Sequence, residues 1–195
     1  MSLKELTWEN HKKVERTVFV KRLLKKRLSQ HQYYVYLCNL HHVYVHLEEC
    51  ARQTGVLENI EDISRASKMN DDILEMESTN PSFVVPTMCK ATHAYIDHLN
   101  TIKEDYDSLL AHVYVRHMGD LSGGQIIKKY VPGPSTHYDF DCEVDDLKTR
   151  VREKLHDGLA TEANMCFEFV HKVFDEIEVV FANMELSNPP QTTVV

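Results

Sequence analysis

The 195-residue sequence predicts a single-domain, all-α fold, and three observations carry that expectation. Six glycines and six prolines punctuate the chain sparsely, so the intervals between turn signals are long. Those intervals are rich in Lys, Arg, Glu and Leu, all good helix formers. No Asn-Gly hairpin signal and no set of alternating apolar and polar residues is present. Hydrophobic residues at 43% and charged residues at 27% are ordinary globular values, which excludes wholesale disorder.

Leu3 to Leu28 holds neither Gly nor Pro and reads as one helix, with His11, Val14 and Val18 along one stripe. Ser29 can cap a second helix running to about Thr54, where Gly55 supplies a stop. Its aromatic and β-branched content allows a strand, but more than 20 residues without a turn signal favour a buried helix. Shorter helical pieces are expected at 59–77, followed by a loop around Asn80-Pro81 and Val85-Pro86. A further helix starts near Thr87, another covers about 104–130, and VPGPST (131–136) breaks the pattern. Two more helices fit 142–157 and 161–186. The domain is expected over 1–186, with a polar tail over 187–195.

Charge and cysteine content narrow the function. A net charge of −8 argues against a nucleic-acid binder, which needs an excess of Lys and Arg. No run of about 18 apolar residues exists, so no membrane span is expected. The opening MSLKELTWENHKK lacks an apolar core of signal-peptide length, so a cytoplasmic protein is expected. Cys38, Cys50, Cys89, Cys142 and Cys166 form no CxxC pair and read as reduced thiols. Lys12, Lys13, Arg16, Lys21, Arg22, Lys25, Lys26 and Arg27 crowd the first helix, a local positive patch on an acidic protein. Such a run is either a solvated face or a dock for an acidic partner.

The segment Arg116-His117-Met118-Gly119-Asp120-Leu121-Ser122-Gly123-Gly124-Gln125 places three of the six glycines within six residues of a helical pattern. A glycine inside a helix costs roughly 0.5–1 kcal/mol relative to alanine. The cluster therefore asks for a kink, or for backbone pressed against something flat. A phosphate-binding loop fails, because Gln125-Ile126 stand where Lys and Ser/Thr are required. LSGGQ also matches the signature of ABC-transporter ATPases, but the chain carries no Walker A site.

Twelve histidines are many for this length, and position must decide their roles. His11 on an apolar stripe is either a core residue or a ligand. Glu15, four residues on, shares its face and could orient the ring. His42 and His46 make a competing i, i+4 pair, but without an HExxH motif they read as helix-face or core residues.

Together, LKE…H…E…F in the first helix and AHVYVRHMGDLSGGQ (111–125) resemble heme oxygenases of the biliverdin-forming type. The likeness runs without a gap from Leu3 to Cys50, extends more loosely to EANMCFEFVHKVFDEIE (162–178), and is weakest over about 52–100. The chain resembles the soluble bacterial, phage and plastid branch, so the hydrophobic anchor of microsomal members is not expected.

The resemblance implies a single all-α domain that sandwiches heme, both substrate and cofactor, between a proximal and a distal helix. His11 is similar in position to the proximal iron ligand and Glu15 to the carboxylate that orients it. Gly119 and Gly123 match the distal glycines, and Asp120 the carboxylate that holds water beside bound dioxygen. Tyr44 and Arg116 match members of the distal hydrogen-bond network. Lys4, Tyr114, Lys148 and Arg152 match groups at the heme propionates, and Phe167 and Phe174 match apolar residues walling the heme. Val170 stands where many relatives carry Asn, and His117 where Tyr is common.

The implied reaction is O2-dependent opening of heme at the α-meso carbon to biliverdin IXα, CO and ferrous iron. The chain has no flavin or nicotinamide fingerprint, so electrons come from outside, with ferredoxin docking on the basic first helix as the expected donor. A downstream bilin reductase is a candidate recipient of the product, and a monomer is expected. The alternatives are a non-catalytic heme-binding or storage protein, and a helical bundle of unrelated chemistry.

Overall fold

The computed structural model describes residues 1–187, and among these no strand is present. The helices are α1 (Leu3–Glu15), α2 (Val18–Leu24), α3 (Gln30–Gln53), α4 (Ala66–Thr79), α5 (Lys90–Thr101), α6 (Tyr106–Gly119), α7 (Gln125–Ile127), α8 (Val144–Lys154) and α9 (Ala160–Ser187). Beyond Ser187, the tail expected over 187–195 lies outside the described residues. The all-α expectation holds, and the sequence signals recur as local structure. Ser2 with Glu5, and Ser29 with Gln32, form capping boxes that start α1 and α3. Gly55, with φ +79°, ends the latter. Asp105 caps α6 by accepting the Ser108 N–H at 2.9 Å.

The expected helix over Leu3–Leu28 is instead two. Thr17 is extended at φ −60° and ψ 157°. Its hydroxyl accepts the Val20 N–H at 3.3 Å and donates to the Val14 carbonyl at 2.8 Å. A threonine side chain thus replaces the backbone bond that would have continued the helix. The break also divides the basic patch: Lys12 and Lys13 sit on α1, while Lys21 and Arg22 sit on α2.

Helix α3 is the central element, with Tyr33, Tyr34, Leu37, Tyr44 and Leu47 all under 2% exposed. Around it pack α4, α5 and α6, while α9 lies against α1, α2, α5 and α6. Polar latches set the register. Asn10 donates to Asn164 at 2.9 Å, tying α1 to α9. Arg22 pairs with Glu178 at 3.1 Å and Glu185 at 2.6 Å, tying α2 to α9. The buried carboxylate of Glu48 accepts the Arg65 N–H at 2.6 Å and faces His117 Nε2 at 3.0 Å. Burial works against ionisation of Glu48, but the His117 contact and the N–H groups of Arg65 and Ala66 outweigh it and hold its pKa below the usual 4.5.

The helix expected over 104–130 is interrupted by a π-helical turn at Asp120–Gly124, which is the irregularity the glycine cluster foreshadowed. The three glycines of the cluster differ in their surroundings. A Cβ at Gly124 would lie 2.6 Å from Cδ1 of Tyr138, so packing excludes it. At Gly119 and Gly123 a Cβ would meet nothing within 4 Å, so packing alone does not require glycine there. Gly119→Ala and Gly123→Ala should each stabilise the ligand-free protein by about 0.5–1 kcal/mol in denaturant titrations. Gly124→Ala should destabilise it by about 1–3 kcal/mol through overpacking. Equal losses at all three positions would contradict this division.

Candidate active site

The open space beside Gly119 and Gly123 belongs to a cavity of about 480 Å³. That volume lies within the roughly 300–1,000 Å³ of small-molecule and cofactor sites. One wall comes from α1 and α2, with His11, Val14, Glu15 and Phe19. The opposite wall is the end of α6 and the π turn, with Arg116, Gly119, Asp120 and Gly123. Tyr36 and Tyr44 of α3, and Phe167, Val170 and Phe174 of α9, close the interior.

On the first wall, the His11 ring stacks on Trp8, with centroids 5.4 Å apart and planes 11° from parallel. It meets Phe167 edge-on at 5.7 Å. Nδ1 is buried and has no hydrogen-bond partner among the described residues. The nearest carboxylate, on Glu15, lies 3.8 Å away, in ion-pair range but longer than a hydrogen bond. Two aromatic neighbours therefore fix the ring plane, and Glu15 is the charge that can polarise it. Trp8 was not among the residues singled out from the sequence, although its i, i+3 spacing to His11 is the pattern that brings helix neighbours together.

On the opposite wall, the Tyr44 hydroxyl donates to Asp120 Oδ2 at 2.6 Å, and Asp120 is only 9% exposed. Its Oδ1 receives no protein hydrogen bond among the described residues, so one carboxylate oxygen is available to water. Burial, followed by the Asp120 charge, pushes the Tyr44 pKa well up, which keeps this phenol a donor. The Arg116 guanidinium lies 5.2 Å from the Tyr44 ring centroid. Burial opposes its charge, but Tyr44, Tyr95, Tyr36 and Asp120 outweigh that and raise its pKa. His117 sits one layer deeper, its ring 4.9 Å from Tyr44 and its Nε2 on Glu48. Glu48 had no distinguishing mark in the sequence, because its partner is 69 residues away.

The structure thus brings together His11, Glu15, Tyr44, Arg116, Gly119, Asp120, Gly123, Phe167 and Phe174 around one cavity. Lys4, Tyr114, Lys148 and Arg152 are not among the lining residues. Lys4 and Arg152 are exposed, Tyr114 is half-buried against the core, and Lys148 pairs with Asp145 at 3.2 Å. Val170 lines the cavity with methyl groups, so no side-chain amide is offered there. His42 and His46 lie on the face of α3 and join no cluster of three metal-ligating groups among the described residues.

This arrangement fits a flat iron macrocycle. A histidine that lines the cavity, with Nδ1 buried on the Glu15 side and no hydrogen bond taken by Nε2 among the described residues, faces one side; backbone whose missing Cβ atoms open onto the cavity faces the other, and the interior between is aromatic and apolar. Imidazole is a common axial ligand of heme iron.

Comparison with known proteins agrees. The family profile described as heme oxygenase matches residues 1–141. Heme oxygenase from Pyropia yezoensis is 30% identical over 201 residues, spanning 90% of this chain and 84% of the relative. The crystal structure of heme oxygenase-1 from Synechocystis sp. PCC6803 in complex with heme superposes with a TM-score of 0.77 at 25% identity, covering 95% of this chain and 96% of that one. Synechocystis heme oxygenase-2 in complex with heme and NO gives 0.79 at 26% identity, covering 93% and 86%. With both the profile and a relative spanning most of its length, the chain belongs to the heme oxygenase family.

Proposed function

We propose that this protein is a heme oxygenase that opens heme at the α-meso carbon, using O2 and external electrons, to give biliverdin IXα, CO and ferrous iron. The observation that carries the reading is one cavity with His11 on one wall and, across it, Cβ-free backbone beside an acid held by Tyr44. When bound, heme supplies both the iron that activates dioxygen and the carbon that is attacked.

The chain's own groups do the rest. His11 would hold the iron, with Trp8 and Phe167 setting the ring plane and Glu15 placed to polarise Nδ1, which leaves Nε2 as the ligating nitrogen. Gly119 and Gly123 would let the distal backbone lie against the macrocycle, where it would limit access to its edges. Tyr44 fixes Asp120 through Oδ2, which leaves Oδ1 to hold a water and pass a proton through it. Arg116 adds a fixed positive charge beside Tyr44. With Val170 offering no polar atom, proton delivery rests on Asp120, Tyr44, Arg116 and water. Phe167 and Phe174 would wall the macrocycle, while Lys4, Tyr114, Lys148 and Arg152 would be the partners of its propionates. For these four the support is the match of their positions to the family, together with three cations and a phenol suited to two carboxylates.

In this reading the protein is a cytoplasmic monomer. Supporting that location, all five cysteines are free, and among the described residues no helix is long and apolar enough to cross a membrane. Electrons come from ferredoxin, whose acidic surface suits the exposed cations of α1 and α2, and a bilin reductase takes the product. Arg22 is already paired with Glu178 and Glu185, so Lys21 and Lys25 are the cleaner test of docking. Lys21→Glu with Lys25→Glu should slow ferredoxin-driven turnover and flatten its salt dependence, with heme uptake unchanged. Unchanged turnover and salt dependence would remove the docking surface.

Asp120→Ala should take up heme with a Soret band yet form biliverdin about 10²-fold more slowly. The assay combines hemin, a reducing system and O2, followed by absorption spectroscopy. A normal bilin yield would contradict the role of Asp120. A stable complex without bilin from the wild-type protein would favour the non-catalytic storage alternative.

A further inference from the structure

Away from the cavity, α5, α6 and α9 bring three ligating side chains to one point. His98 Nε2 lies 2.5 Å from Glu162 Oε1, and His112 Nε2 lies 2.9 Å from the same oxygen. All three candidate ligand atoms fall within 4.8 Å of one another. His112 is fully buried, whereas the side chains of His98 and Glu162 are each 18% exposed, which gives a path from solvent. The outer contacts are also built. The Tyr95 hydroxyl lies 2.9 Å from His112 Nδ1 and 3.0 Å from Cys166 Sγ, so the His112 ring is held from behind with Nε2 aimed at the cluster. The His98 ring packs against Phe169 at 5.0 Å. The hydrogen bond to Nδ1 of His112 is the usual support of a ligating imidazole, while His98 is held by ring packing.

We propose that His98, His112 and Glu162 form a second metal site, separate from the heme cavity, for a divalent transition ion with zinc as the natural occupant. Two imidazoles and one carboxylate are a recurrent zinc donor set, with the fourth position left to water at the exposed rim. A nitrogen-rich set disfavours magnesium and calcium, which take oxygen ligands. One carboxylate oxygen shared by two imidazole nitrogens is bridged equally well by protons or by a metal ion. On binding, the ion forms bonds of about 2.0–2.2 Å to both Nε2 atoms and to the carboxylate. Glu162 withdraws slightly to admit it, and the protons that bridged these groups pass to solvent. The ion clamps α5 and α6 to α9, behind the helices that carry the distal glycines and Phe167. His98 and Glu162 are 64 residues apart, so no local motif announces the site.

The test uses the full-length, heme-free protein stripped with a chelator and dialysed against micromolar zinc chloride. Retained zinc is measured by elemental analysis, and cobalt chloride serves as an optical probe of coordination. The proposal expects one zinc per chain, a visible tetrahedral cobalt band, and at least tenfold weaker binding in both His98→Ala and Glu162→Gln. His98→Gln can keep a hydrogen bond to Glu162 without offering an imidazole, so it decides the matter should His98→Ala lose helicity by circular dichroism. It should fold and fail to hold zinc. No retained zinc in the wild-type protein, or equal retention by a folded His98 variant, overturns the site.

Discussion

In the proposed reading, the distal helix has to run close to a ring system without placing a side chain in the gap, and the architecture of the cavity depends on that constraint. Glycine's extra backbone freedom makes it a local loss in a helix, and at 119 and 123 the proposed ligand's contact with bare backbone is what recovers it. The π turn at Asp120–Gly124 is the same constraint seen in backbone geometry. It carries the chain past the cavity while Gly124 admits Tyr138 from behind. In that reading function and packing share one short segment, with Gly119 and Gly123 serving the first and Gly124 the second.

Holding that segment at the right separation from His11 falls to polar contacts spread over the fold. Glu48 fastens the Arg65 turn and His117, Tyr44 fastens Asp120, and Arg22 and Asn10 fasten the proximal helices to α9. Most of these groups are buried or half-buried and paired, as desolvated polar groups must be. The two sides of the cavity reach α9 by different routes, which makes that helix the common reference for both. The His98–His112–Glu162 cluster acts on the same helix from the far side.

How much of this could be read beforehand follows from the range of each interaction. Helix α3 was legible because its cap, Ser29, and its stop, Gly55, are local. The break at Thr17 was not, because threonine inside a helical run gives no sign that its hydroxyl will take over a backbone bond. The cavity residues on α1 and α6 were reached through a long, specific string resembling a family. Trp8 and Glu48 escaped because one acts by stacking and the other through a partner far along the chain. His42 and His46 have the i, i+4 spacing of a metal pair but read as helix-face or core residues, whereas the histidines that gather around a carboxylate come from separate helices. The propionate set, inferred from matched positions alone, is the part that the cavity walls do not include.

The most direct test of the account is a hemin titration of the wild-type protein and of His11→Ala, followed in the Soret region. Saturation at one heme per chain, with a histidine-ligated spectrum that His11→Ala loses, is the predicted result. Failure to reach one-to-one uptake, or an iron spectrum unchanged by removal of that imidazole, would contradict it.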